Sequence, residues 1–339
     1  MATQIKKLPH SEVEITGEIS ADVLLGYRKE ALKHLQKEVK LDGFREGHIP
    51  ENVLVKRLGE VAILEEAAEI AIQDEYPKIV KEHSLVVIGR PQVILTKIAP
   101  GNPAEFKIRA AVMPEVMIGD YKAIAKTEMK KTEEKIEVTE KDIEAVIEEL
   151  RNIRAEVKKG EDEKEERILP ELDDAFVKTL GDFKDVADFK EKAKENLALD
   201  KKAKARDKKR LEIVEKIVEK SEIDLPEILI ESELEKMFSQ FESDVARAGV
   251  KMEDYLKHIK KTEVDIRKDW RKDAEKRAKI QLIFNMIAKE EKLSADAKKV
   301  EEESAHILEH YKDAKPENVR VYVETILVND KVFEFLEQQ

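Results

Sequence analysis

Val13, Ile15 and Ile19 fall on alternate positions with Gly17 in phase, and this period of two predicts a strand over residues 11–19. The period then lengthens to that of a helix. Leu24/Leu25, Arg28, Leu32 and Leu35 stripe residues 22–40, and Val53, Leu54, Leu58, Ile63, Leu64, Ala67, Ala68 and Ile72 stripe residues 52–83. Gly59 should break the second stretch, and Pro77 should kink or restart it. Val93–Leu95 and Phe106–Ala110 read as strands around the turn Pro100-Gly101-Asn102-Pro103. Together these elements predict an α+β domain over residues 1–116, with two or more helices against one face of an antiparallel sheet.

Residues 122–137 are mixed and charged and read as extended. Thr139, with Asp142 three positions on, should open a helix striped by Ile143, Val146/Ile147, Leu150 and Ile153. Lys158–Arg167 carries no aromatic or aliphatic side chain and reads as a solvated linker within residues 117–168. From Leu169 the pattern is almost wholly helical. Phe189, Ala193, Leu197, Leu211, Val214 and Ile217/Val218 mark one long helix. Leu225-Pro226 should start the next at its first turn, and Gly249 should end it. Thr262/Asp265 caps another, and Ser294 and Pro316 open two more. The stripes are long but narrow, which predicts an extended all-α domain with helical arms over residues 169–339.

Composition supports that division. Of 339 residues, 41% are charged and 5% aromatic, a mixture suited to long helices with wide solvated faces. A net charge of −12 argues against a general nucleic-acid binder. Locally the balance reverses: Arg28, Lys29, Lys33, Lys37, Lys40, Arg45, Lys56 and Arg57 outnumber the interleaved acids. The chain has no cysteine, which excludes disulfides and thiolate metal sites. The N-terminus lacks a signal-peptide core, and no run nears the roughly 18 apolar residues of a membrane span, so the expectation is a soluble cytoplasmic protein without a membrane partner.

The stretch Gly43-Phe44-Arg45-Glu46-Gly47-His48-Ile49-Pro50 separates the first two helices. Two glycines permit backbone conformations closed to other residues, and Pro50 fixes the exit. Two readings fit. Phe44 and Arg45 point outward as a docking pair, or Phe44 folds back into the core of a simple helix connection.

Gly-Phe-Arg-x-Gly-x-x-Pro in this setting resembles the ribosome-docking loop of the trigger factor family, bacterial chaperones of the ribosomal tunnel exit. Ile19–Asp22, Arg57–Gly59, Gly89–Pro91, Met113–Val116, Leu169–Phe176 and Ile223–Pro226 extend the resemblance over nearly the whole chain. It implies a ribosome-binding site of Gly43, Phe44, Arg45, Gly47, His48 and Pro50. It also implies the large ribosomal subunit (protein and ribosomal RNA) and nascent or unfolded polypeptides as partners, with no cofactor. A homodimer is compatible with it. His48 stands where the family usually has lysine. The family also carries a prolyl isomerase domain of the FK506-binding type where this chain has Lys158–Arg167. That segment cannot supply the concave apolar walls of a proline pocket. The expected function is therefore a ribosome-associated holdase without isomerase activity, with a ribosome-independent cytosolic chaperone or assembly factor as the alternative.

Met237, Phe238 and Phe241 form an apolar cluster with two readings, core packing or an adaptable surface for clients. His306-Ile307-Leu308-Glu309-His310 matches the H-x-x-E-H pattern of inverted zinc proteases. In a chain this rich in glutamate the match reads as chance, with no metal expected. His34, His83 and His258 read as isolated surface residues.

Overall fold

The computed structural model describes residues 3–41, 44–45, 47–131, 137–159 and 165–339. Strands β1 (Thr3–Leu8), β2 (Glu12–Ile19), β3 (Val87–Lys97) and β4 (Ala104–Val112) form an antiparallel sheet in the order β1-β2-β4-β3. The register sets Val13 beside Ala110, Ile15 beside Ile108 and Ile19 beside Ala104, so the apolar halves of β2 and β4 share one face. Helices α1 (Ala21–Glu38) and α3 (Glu60–Glu82) cover that face with Leu24, Leu64, Ala68, Ala71, Ile72 and Ile79. The opposite face carries the cross-strand pairs Lys107–Glu14 and Arg109–Glu12, each at 3.9 Å. Short helix α2 (Glu51–Leu58) precedes α3, and Gly59 divides them at φ 85°, a conformation that favours glycine. α3 runs on through Pro77 to Glu82. Strand β1 has no counterpart in the sequence pattern, because pairing with β2 rather than alternation defines it.

After β5 (Val116–Met117) the chain enters α4 (Tyr121–Met129), capped by the Asp120 carboxylate, which accepts the Ala123 N–H at 2.9 Å. Residues 122–137 were expected to be extended, and the helix corrects this over its span. Tyr121, Ile124 and Ala125 are buried on one side, so the stripe is short rather than missing. α5 (Glu140–Ile153) opens with the expected reciprocal bonds between Thr139 and Asp142. Strands β6 (Glu156–Lys159) and β7 (Glu165–Ile168) then pair antiparallel, so the expected linker contains a two-stranded ribbon.

Helices α6 (Asp174–Leu180) and α7 (Val186–Glu219) follow, the latter a single helix of 34 residues. Phe176, Val177 and Phe189 pack with Ile147 of α5. β8 (Glu222–Ile223) pairs with β5, and α8 (Glu227–Arg247), α9 (Met252–Ile259) and α10 (Glu263–Glu290) come next. Pro226 takes the cap position of α8, one residue before the first turn where it was expected. Gly249 (φ 75°) follows its end. Thr262 and Asp265 cap α10 reciprocally. α11 (Ala297–His310) is capped by Asp296 rather than Ser294, because the Asp296 carboxylate accepts the N–H groups of Lys298 and Lys299. α12 (Pro316–Glu337) closes the chain with Pro316 in its first turn.

The chain divides into two units, residues 1–118 with 221–286 and residues 119–220 with 287–339, so each is discontinuous in sequence.

Candidate functional site

One residue of α1 holds the C-terminal end of the loop between α1 and α2 with two hydrogen bonds. The backbone carbonyl of Gln36 accepts the Gly47 N–H at 2.9 Å, and the Gln36 side-chain amide donates to the Ile49 carbonyl at 2.7 Å. Ile49 is 1% exposed and packs with Ala31, Leu32, Leu54, Ile63 and Ala67. Gly47 sits at φ 76°, where a side chain would strain the backbone. The loop base is thus a buried anchor under a turn that requires glycine.

The tip points the other way. Phe44 is 40% exposed and Arg45 is exposed. The Arg45 guanidinium has no hydrogen-bond or ion-pair partner among the described residues. His48 and Pro50 are exposed, with the His48 N–H donating to the Arg45 carbonyl at 3.0 Å. Gly43 lies outside the described residues. A large ring beside an exposed guanidinium can fill a pocket and bind an anion bidentately in one contact.

Arg28, counted from sequence in the local basic bias, is already engaged. It donates to Glu60 at 2.7 and 3.2 Å and to Glu51 at 2.7 Å. Those bonds push the guanidinium further up, and the bond from Arg28 holds the Glu60 carboxyl below its usual value. Arg28 therefore clasps the start of α2, where the loop exits, and does not present its charge to a partner.

In the arm, Phe238 is 6% exposed while Met237 and Phe241 are half-buried. Met237 packs against the cluster of Leu225, Ile230, Leu234, Ala274, Ala278 and Leu282. The Phe241 ring meets Phe238, Tyr255 and Trp270 edge-on, with centroids 6.3, 5.4 and 5.3 Å away. Tyr255 belongs to α9, which the sequence pattern did not reveal. Arg267 lies 5.4 Å above the Phe238 ring and donates to Glu235 and Glu263 at 2.5 and 2.8 Å.

His306 and His310 share a face of α11 with ring centroids 5.1 Å apart. Among the described residues, three metal-ligating side chains converge at a different place: His34, Glu38 and Glu66. His34 was expected to be isolated, yet its Nδ1 stands 2.7 Å from Glu66 Oε1. The pairing is legible only once α1 and α3 are packed. His83 and His258 are exposed.

The family model described as bacterial trigger factor protein matches residues 1–150, and its C-terminal counterpart matches residues 185–338. The trigger factor of Moorella thermoacetica is 25% identical over 403 residues, covering 94% of this chain and 89% of its own length. That of Bacillus subtilis is 27% identical over 390 residues, 92% of each protein. Both alignments exceed the 339 residues of this chain, so these relatives carry segments without a counterpart here. A solved structure from work on promiscuous substrate recognition in the folding and assembly activities of the trigger factor chaperone superposes over 99% of both chains. Its TM-score is 0.56 at 20% identity, a likeness of fold.

Proposed function

Because the chain belongs to the trigger factor family, we propose that it is a ribosome-associated holdase that binds nascent or unfolded polypeptides at the tunnel exit of the large ribosomal subunit. It has no isomerase domain, since only residues 151–184 separate the two matched segments. The exposed Phe44–Arg45 pair, on a loop whose C-terminal end is bonded twice to Gln36, supports docking. Pre-organisation of this kind lowers the ordering cost of binding. Gly47, His48 and Pro50 shape the loop, Gly43 belongs to the proposed site by the sequence motif, and the Arg45 guanidinium supplies the contact to phosphate or carboxylate.

Met237, Phe238 and Phe241 carry the client half of the proposal. Met237 and Phe241 are half-buried and keep part of their apolar surface open; the Phe241 ring meets Tyr255 and Trp270 edge-on, and buried Phe238 packs against it. Flexible thioethers and ring edges accept many sequences, which suits weak and broad binding. Among the described residues no helix is long and apolar enough to cross a membrane, in keeping with the proposed cytoplasmic location.

His48 favours a second reading, a ribosome-independent chaperone or assembly factor. An imidazole lacks the fixed charge that lysine would give the loop near neutral pH. Co-sedimentation with ribosomes, together with suppression of aggregation of an unfolded client in their absence, tests the proposal and separates the two readings.

A further inference from the structure

We propose that His34, Glu38 and Glu66 form a binding site for one divalent transition-metal ion, zinc by its ligand chemistry, that clasps α1 to α3. His34 and Glu38 are four residues apart on α1 and so share one face of that helix. Glu66 reaches them from α3, and the ligating atoms of all three lie within 4.8 Å of one another. An imidazole with two carboxylates is a donor set that zinc accepts, and the two negative charges balance the dication.

The geometry needs little adjustment. Nδ1 of His34 and Oε1 of Glu66 are 2.7 Å apart, a distance bridged by a proton. Ligand atoms about 2.0–2.2 Å from a tetrahedral zinc stand a little over ~3 Å apart. Replacing the shared proton by the ion therefore opens this pair by less than ~1 Å, and a rotamer change of exposed Glu38 closes the third side. The backbone beneath is already set, because Ala31 and Leu32 of α1 pack against Ile63 and Ala67 of α3 in one buried cluster. The Glu66 side chain is 16% exposed and that of His34 53%, so one side stays open for a water as fourth ligand.

The site has a consequence for the loop. Gln36, which anchors Gly47 and Ile49, lies between His34 and Glu38 in sequence. An ion fixing residues 34 and 38 holds the same stretch of α1.

Titration of the untagged, EDTA-treated full chain with zinc chloride by calorimetry tests this. The His306→Ala/His310→Ala background removes the other histidine pair. The expected result is one zinc per chain with micromolar affinity, weakened at least tenfold by His34→Ala and by Glu66→Gln. Glu65→Gln, an exposed neighbour, should leave the affinity unchanged, and circular dichroism should show every variant folded. Heat no greater than dilution would overturn the proposal. So would an affinity that His34→Ala leaves intact or that Glu65→Gln lowers as much as Glu66→Gln.

Discussion

The Gln36 side-chain amide and the Ile49 carbonyl meet at 2.7 Å, joining the last turns of α1 to the far end of the exposed loop. Ile49 itself is 1% exposed, so the bond is sheltered at the loop base. Gln36→Ala leaves that carbonyl without its donor, at a cost of about 1–3 kcal/mol. The expected outcome is severalfold weaker ribosome binding in co-sedimentation, with far-ultraviolet circular dichroism unchanged. Gln36→Glu should behave alike, because a carboxylate cannot donate to a carbonyl.

Gly89 is needed for two separable reasons. Its φ of 71° disfavours any side chain, and a Cβ there would overlap the Cδ1 of Ile228 at the start of α8. Gly89→Ala should therefore destabilise by the left-handed strain of about 1–2 kcal/mol plus the overlap. Adding Ile228→Ala removes the overlap and leaves the strain. In denaturant unfolding, the double variant should be less destabilised than the sum of the two single ones.

The arm cluster divides by burial. Phe238→Ala should destabilise the protein by roughly 3–5 kcal/mol, the range for truncating a buried phenylalanine. Met237→Ser and Phe241→Ser, at half-buried positions, should cost less while lowering the suppression of client aggregation. Thermal unfolding measured beside a light-scattering assay distinguishes the two effects. Full suppression by a folded Met237→Ser/Phe241→Ser variant would remove these residues from the client surface.

Acid should weaken the unit that contains α7 and α12 through Glu337. Hydrogen bonds from Arg206 at 2.8 and 2.6 Å and from Arg210 at 2.6 and 3.3 Å bring its carboxyl down from 4.5 to about 2, against the opposing effect of burial. A depressed folded-state pKa stabilises above the unfolded value, and that stability is lost as pH falls from 4.5 towards about 2. Denaturant unfolding across this window should show wild type losing more stability than Glu337→Gln, which has no carboxyl to protonate.

What the sequence disclosed follows from how local each signal is. The Thr139/Asp142 and Thr262/Asp265 caps, the break at Gly59 and the turn at Pro100–Pro103 depend on near neighbours, and all stand where the pattern places them. Strand β1 and the ribbon of β6 and β7 depend on pairing between segments, which periodicity cannot register. α4 and α9 are too short for a sustained stripe. At the loop, the glycines, Phe44 and Arg45 were legible as a motif. The engagement of Arg28 by Glu51 and Glu60, the anchoring by Gln36 and the meeting of His34 with Glu66 were not, since each joins residues brought close only by helix packing.

Ribosome co-sedimentation of wild type against Phe44→Ala/Arg45→Ala tests docking through the loop tip most directly. Loss of an interface anchor of this type costs on the order of 2 kcal/mol or more, at least about thirtyfold in affinity. The double variant should stay in the supernatant at concentrations where wild type pellets with ribosomes. Its helix content and its suppression of client aggregation away from ribosomes should both be preserved. Equal pelleting of wild type and a folded double variant would contradict the assignment of Phe44 and Arg45 as the anchor.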